Sequence, residues 1–366
     1  MSNDSVVIGW PVHDLDTPAL LVDLDALQRN IARTARLIRE AGTAWRPHTK
    51  GQKVPAIAHL EIGAGAIGVT CAKLGEAEVM ASSGIKSILI ANQIVGAHKT
   101  ARLANVNRLA EVIASVDSVE NVQELDAAGR AKGVAIPVVT EVNTGMDRCG
   151  VEPGEPVVAL ARIIAGCSGL RFMGVMAWEG HARHYLDRGE RAVVVEKAVR
   201  QLVWSAELLR EVGLPAQIVS CGGTGTEEVS SRIPGVTEVQ AGGIIFNDVR
   251  YAGLGTETEF AMTVLTTVIS RPTPRRIVTD AGRKTMSNDM ATPKPLGVEG
   301  VKDVSLAAEH GIITLERPNT TTRIGDKLQW IVGYTDSTVC LHDEMYGVRD
   351  GVVETVWPVL ARAQTR

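Results

Sequence analysis

The chain has 366 residues, 45% of them hydrophobic and 22% charged, with a formal net charge of −4. Those proportions belong to a globular chain long enough for a barrel with an extension or for two domains. Slight acidity argues against nucleic acid as the main partner, because phosphate neutralisation needs a basic surface, and no apolar run approaches the roughly 18 residues of a membrane helix.

Taken in chain order, the sequence alternates strand and helix. Asp25 to Glu40 predicts an amphipathic helix, with Leu27, Ile31, Ala35 and Ile38 at helical spacing. Eight strands are then expected: Ala44 to Pro47, Ile67 to Cys71, Ser87 to Ala91, Glu111 to Val116, Ile136 to Val142, Leu170 to Met176, Gln217 to Ser220 and Glu238 to Gln240. Helical sequence separates them at Val54 to Ile62, Gly75 to Ser82, His98 to Leu109, Val119 to Arg130, Pro156 to Ala165 and Arg188 to Val212, with a short turn near Glu227. The order and size fit an α/β fold, a (β/α)8 TIM-type barrel; a doubly wound open sheet is the runner-up. After Tyr251 the rhythm changes. Met262 to Ser270, Arg276 to Thr279, Gly311 to Leu315, Lys327 to Val332, Thr338 to Leu341 and Val352 to Val356 are expected strands with few helices between them. They predict a second, C-terminal β-rich domain, which Leu20 to Val22 can join. The domain expectation is a barrel over 18–255 and a β-rich domain over 1–17 and 256–366.

The stretch from Met1 to Val12 has no basic segment followed by an apolar core, so no secretory signal and a cytoplasmic location are expected. The five cysteines are odd in number, widely spaced and without a CxxC pair, which favours buried thiols over disulfides or a thiolate metal site.

Functional groups of such a barrel sit at the carboxyl ends of its strands. There the sequence places Arg46-Pro47-His48-Thr49-Lys50, Asn143 to Gly150, Trp178-Glu179-Gly180-His181, Cys221 to Thr226 and Ala241-Gly242-Gly243. In the run Gly222-Gly223-Thr224-Gly225-Thr226, glycines let backbone amides approach a phosphate, and Thr224 and Thr226 add hydroxyls. A tight turn would explain a single glycine run; a second run at Gly242 and Gly243, after the next strand, favours a phosphate cradle. No Walker lysine follows, which argues against an NTPase. Lys50 stands at the mouth of the first strand. A lysine on one side and a phosphate cradle on the other suit pyridoxal phosphate, held by a Schiff base and by its phosphate. Arg148 is placed to meet the cofactor's ring oxygen or to serve in a structural ion pair.

These landmarks, with Asp16-Thr17-Pro18, Lys73-Leu74-Gly75-Glu76, Asp147-Arg148-Cys149-Gly150, Asp280-Ala281-Gly282, Glu309-His310-Gly311 and Val356-Trp357-Pro358, resemble the D-threonine aldolase and D-serine dehydratase group. That group is related to alanine racemase among the barrel-type pyridoxal-phosphate enzymes. The resemblance runs from about Asp16 onward. It implies that Lys50 carries the cofactor, that Gly222, Gly223, Thr224, Gly225, Thr226, Gln240, Gly242 and Gly243 surround its phosphate, and that Arg148 contacts its ring. It also implies a homodimer acting on a small amino-acid substrate.

The sequence departs from the family around substrate and metal. The family's metal-binding histidine, two residues before a cysteine or aspartate, is Tyr334 here, followed by Asp336. A neutral tyrosine is a poor ligand, and a lone carboxylate seldom holds a divalent metal tightly. Gly51-Gln52 replaces the usual threonine-histidine after the lysine. Trp178 stands for the tyrosine near the pyridine nitrogen, and an indole N–H only donates. The expected activity is therefore lyase chemistry on a β-hydroxy D-amino acid, by retro-aldol cleavage or by dehydration. Tyr334 or a histidine such as His342, His181 or His184 would be the base. An amino-acid racemase using Lys50 and Tyr334 is the alternative, and a non-catalytic cofactor carrier the third.

Overall fold

The computed structural model describes residues 7–366, in two compact units. Residues 1–6 of the expected β-rich segment lie outside the described residues. One unit comprises 33–242 with 363–366; the other comprises the described residues up to Ala32 together with 243–362.

The first unit contains β2 (Ala44–Trp45), β3 (Val69–Cys71), β4 (Ser87–Gln93), β5 (Glu111–Val116), β6 (Ile136–Glu141), β7 (Leu170–Met176), β8 (Ile218–Cys221) and β9 (Glu238–Val239); β1 belongs to the other unit. All eight pair in parallel, in the order β2-β9-β8-β7-β6-β5-β4-β3. A parallel bridge between His48 and Thr70 joins the two ends, with Thr70 N–H donating to Pro47 O at 2.8 Å and Ile67 N–H to Trp45 O at 2.9 Å. The sheet is therefore a TIM-like ring and not a doubly wound open sheet. Its strands are continuous apolar runs such as Ile88-Leu89-Ile90, fully buried, because helices cover the outer face while side chains fill the inside. Leu89, Ile113, Val139, Met173, Met176 and Ile218 form one inner cluster. Arg46 and Glu238 make a buried bidentate pair between β2 and β9, at 2.9 and 3.0 Å.

Caps set the intervening helices. The Ser118 side chain accepts from Asn121 N–H at the start of the helix Val119–Lys132, and Gly133, left-handed at φ 64°, ends it. Asp187 does the same for Arg188–Glu211, accepting from Glu190 N–H at 2.9 Å.

The second unit holds β1 (Ala19–Asp23), β10 (Met262–Thr273), β11 (Arg276–Thr279), β12 (Lys294–Pro295), β13 (Val301–Leu306), β14 (Gly311–Leu315), β15 (Lys327–Ile331), β16 (Glu344–Arg349) and β17 (Val352–Pro358). The order is β13-β14-β11-β10-β1-β16-β17, with β15 also on β10 and β12 on β15. Leu20 to Val22 does join it, since β1 pairs with β10 and β16. Thr17 and Asp280, distant landmarks in sequence, meet through a 2.6 Å hydrogen bond.

The expected strand Thr338 to Leu341 is corrected: its first residues belong to the short helix Thr335–Val339 and the rest to the turn after it. Asp248 causes this. Its Oδ2 accepts from both the N–H and the hydroxyl of Thr335, each at 2.9 Å, and so fixes the first helical turn. Burial raises the Asp248 carboxyl to a pKa of about 6. Two longer strands were not expected. β13 has no buried residue, so it lacks the alternation that marks a strand. β16 contains Gly347, where an added Cβ would come within 2.5 Å of Thr355.

Candidate active site

The carboxyl ends of the barrel strands collect the residues singled out by sequence. After β2, Thr49–Gly51 forms a single 3-10 turn. The His48 imidazole Nδ1 accepts from Lys50 N–H at 3.3 Å, and the Thr49 hydroxyl reaches Thr70 O at 3.1 Å. Lys50 is half-buried. Burial holds His48 well below the usual imidazole range, and the charges of Lys50, Lys53 and Arg148 add to that. Lys50 and Arg148 thus come from different strand ends of the same barrel mouth. The more deeply buried lysine is Lys53, left-handed at φ 57° and paired with Glu76. Glu76 also accepts from the Ala72 and Lys73 amides at 2.7 and 3.1 Å. Gln52 donates to buried Glu61 at 2.6 Å.

After β6, Asn143 organises the loop. Its carbonyl oxygen accepts from Gly145 and Asp147 N–H at 3.2 and 3.1 Å. Arg148 is exposed along much of its length and approaches Glu141 Oε1 at 3.4 Å. Gln93 donates to the other Glu141 oxygen at 2.6 Å, and burial raises the Glu141 carboxyl. A cavity of about 390 Å³ opens beside this loop, lined by Asn143, Thr144, His181, Tyr185 and Lys197 among others.

After β7, the Trp178 indole is wedged between two glycines. An added Cβ on Gly180 would lie 2.4 Å from its Nε1, and one on Gly223 would lie 2.4 Å from its outer ring edge. The Arg183 guanidinium stacks over the ring at 5.3 Å. The 3-10 turn Gly180–His184 follows. It places His181 beside Gly145, while His184 is exposed.

The glycine run after β8 is tightly internally bonded. Gly222 N–H donates to Glu179 Oε2 at 3.2 Å, and Gly223 N–H to Thr226 Oγ1 at 3.0 Å. Gly225 N–H donates to Glu227 Oε2 at 2.6 Å. Burial pushes the Glu227 carboxyl up to about 7. The Thr224 hydroxyl is buried and meets no protein partner. After β9, Gln240 donates to Ser220 Oγ at 2.8 Å. Gly242 packs on the His48 backbone so closely that a Cβ would lie 2.1 Å from His48 O.

The remaining candidates belong to the β-rich unit. Gly243 packs against the Tyr251 ring, and Tyr251 lies 5.8 Å from the Tyr334 ring, tilted by 58°. The Tyr334 hydroxyl donates to Asp336 Oδ2 at 2.9 Å. His342 Nε2 sits 2.9 Å from Thr285 O, and burial lowers its pKa. Among the described residues no cluster of three or more histidine, cysteine or carboxylate ligands forms a metal site. The five cysteines are free thiols.

A phosphorylated aldehyde cofactor fits the barrel mouth. The orphaned Thr224 hydroxyl offers a hydrogen bond within a glycine run, and the cationic region holds an amine and a guanidinium. Sequence reasoning placed Glu179 at a strand end without giving it a role, and it missed Lys53 and the Gln52–Glu61 pair. The signal for Glu179 was present: a carboxylate three residues past the buried end of β7.

Comparison with known proteins agrees. The family model for the alanine racemase N-terminal domain matches residues 22–249, and that for a serine dehydratase domain matches residues 261–348. The crystal structure of D-threonine aldolase from Filomicrobium marinum superposes with a TM-score of 0.94 at 36% identity, covering 97% of this chain and 98% of that one. The 3-hydroxy-D-aspartate aldolase of Paracoccus denitrificans (strain Pd 1222) is 34% identical over 367 residues, 97% of this chain and 94% of the relative. The D-threo-3-hydroxyaspartate dehydratase of Delftia sp. is 36% identical over 286 residues, 76% of this chain and 75% of the relative.

Proposed function

The chain belongs to the D-threonine aldolase and D-serine dehydratase group of alanine racemase-type pyridoxal-phosphate lyases, and on that premise we propose that it cleaves a β-hydroxy D-amino acid to glycine and an aldehyde. The observation that carries this reading is a barrel mouth where Lys50 follows β2, Arg148 follows β6 and the next-to-last strand ends in a glycine run with an orphaned hydroxyl. Lys50 would hold the aldehyde carbon of the cofactor, Arg148 its ring oxygen, and Gly222 to Thr226 with Gln240, Gly242 and Gly243 its phosphate. Trp178 would line the ring. When bound, the cofactor supplies an electron sink for the pair left at Cα as the Cα–Cβ bond breaks.

The protein's own part is to move the β-hydroxyl proton. On the family resemblance Tyr334 takes the place of the metal-binding histidine, and its hydroxyl donates to Asp336. As Tyr334 takes the substrate proton, its own passes to Asp336. His342 is the second candidate for the base. This arrangement favours cleavage without a divalent metal; the opposing reading, with Asp336 as ligand, needs partners from elsewhere. The Delftia relative makes dehydration the alternative outcome at the same site, and the Tyr334 phenol motivates racemisation with Lys50. The same reading takes the enzyme as cytoplasmic, in keeping with its free thiols, and, on the family resemblance, as a homodimer.

The test is aldehyde release from a panel of β-hydroxy D-amino acids, with and without a chelator. Aldehyde that forms, survives chelation and disappears in Lys50→Ala is the expected result. Loss on chelation returns the metal to the mechanism. Oxo-acid with ammonia, or loss of optical rotation without cleavage, would replace the aldolase reading with dehydratase or racemase.

A further inference from the structure

Glu179 is fully buried three residues past the end of β7, and its carboxylate is directed at the neighbouring strand's loop. Oε1 accepts from the Thr226 hydroxyl at 2.7 Å and the Ser230 hydroxyl at 2.6 Å. Oε2 accepts from Gly222 N–H at 3.2 Å. A carboxylate has acceptor sites only. The Thr226 O–H must therefore point at Glu179, which leaves a Thr226 lone pair for Gly223 N–H. One side chain thus fixes the start, middle and end of the run from Gly222 to Ser230.

A buried carboxylate is costly unless it is fully hydrogen-bonded, and a turn that needed only shape could be closed by apolar packing. What the arrangement adds is direction. With the donors of Gly222, Gly223, Thr226 and Ser230 turned inward, the Thr224 hydroxyl is the buried side-chain donor in the run without a protein partner. We propose that Glu179 is the positioning residue of the phosphate loop, holding the Thr224 hydroxyl ready for the cofactor's phosphate. The proposal rests on the cofactor reading above and extends it to a side chain that touches neither cofactor nor substrate.

The experiment titrates the full-length, cofactor-free chain with pyridoxal phosphate and separately with pyridoxal, which lacks the phosphate, following absorbance of the bound form. The wild type is expected to prefer the phosphorylated compound. Glu179→Gln keeps the shape but places an NH2 against donors. It should cut that preference by about 10- to 100-fold, the scale typical of lost supporting contacts, while pyridoxal affinity stays within about threefold of wild type. Glu179→Asp, which keeps the carboxylate, should recover part of the preference. A purely structural role would weaken both compounds equally, and that result, or an unchanged preference in Glu179→Gln, overturns the proposal alone. A wild-type chain that binds neither compound overturns the cofactor reading and the proposal with it. Should circular dichroism show Glu179→Gln unfolded, Ser230→Ala, which removes a single donor, carries the test with a smaller expected loss of preference, and no loss there overturns the proposal.

Discussion

At the scale of single residues, the chemistry turns on side chains whose type could be read from sequence and whose surroundings could not. The family resemblance reads Tyr334 as a departure from a metal ligand; its bond to Asp336 is a fact of the fold. Replacing it with phenylalanine should lower kcat by about 10²- to 10⁴-fold, the usual worth of a positioned acid–base group, with cofactor absorbance unchanged. Steady-state kinetics beside the spectrum check this. Glu227 gives a second prediction. Its carboxyl titrates near 7 in the folded chain against 4.5 ordinarily, because burial penalises its charge. Between those values the folded chain holds a proton that the unfolded chain has released, so stability falls as pH rises through the window. Glu227→Gln removes the titration. The cofactor-free variant should gain on wild type by roughly 1–3 kcal/mol between pH 4.5 and 8, read from denaturant melts at the two pH values; parallel curves would refute the assignment.

Elements explain why some features were legible and others were not. The barrel strands announce themselves because parallel strands are apolar along their whole length, and the helices between them carry caps and periodicity. The glycine run was legible as a turn. Its second purpose, giving room to the Trp178 indole, depends on a neighbour 45 residues earlier in the chain and shows only in the folded contacts. Gly223→Ala should force the ring to move, costing about 1–3 kcal/mol as overpacking does, and Trp178→Phe in the same chain should return part of the loss. A double-mutant cycle on thermal stability measures that coupling. Thr338 to Leu341 failed for a related reason. Its β-branched residues read as strand, and a single buried carboxylate, Asp248, overrode them by capturing Thr335. β13 was illegible because a strand without a buried face leaves no hydrophobic signature.

For the whole molecule, alternation of strand and helix was sufficient to foresee the ring, and the change of rhythm after Tyr251 to foresee a β-rich unit. The order of strands in that unit was not foreseeable, since β1 takes its place between β10 and β16, both far along the chain. Long-range pairing of this kind sets the kinetics as well as the shape. Arg46 and Glu238 lie 192 residues apart in sequence, and their buried bond fastens the first barrel strand to the last. A contact separated by so much chain carries a large loop-closure cost, so it forms after the local βα units have assembled. Glu238→Gln should accordingly leave the refolding rate within about twofold while speeding unfolding by tenfold or more, the signature of a bond absent from the transition state. Stopped-flow refolding and unfolding of the cofactor-free chain would read both limbs. In a cell, the same bond then acts as a timer: it sets how long a finished barrel stays shut against proteases rather than how quickly a new one is made.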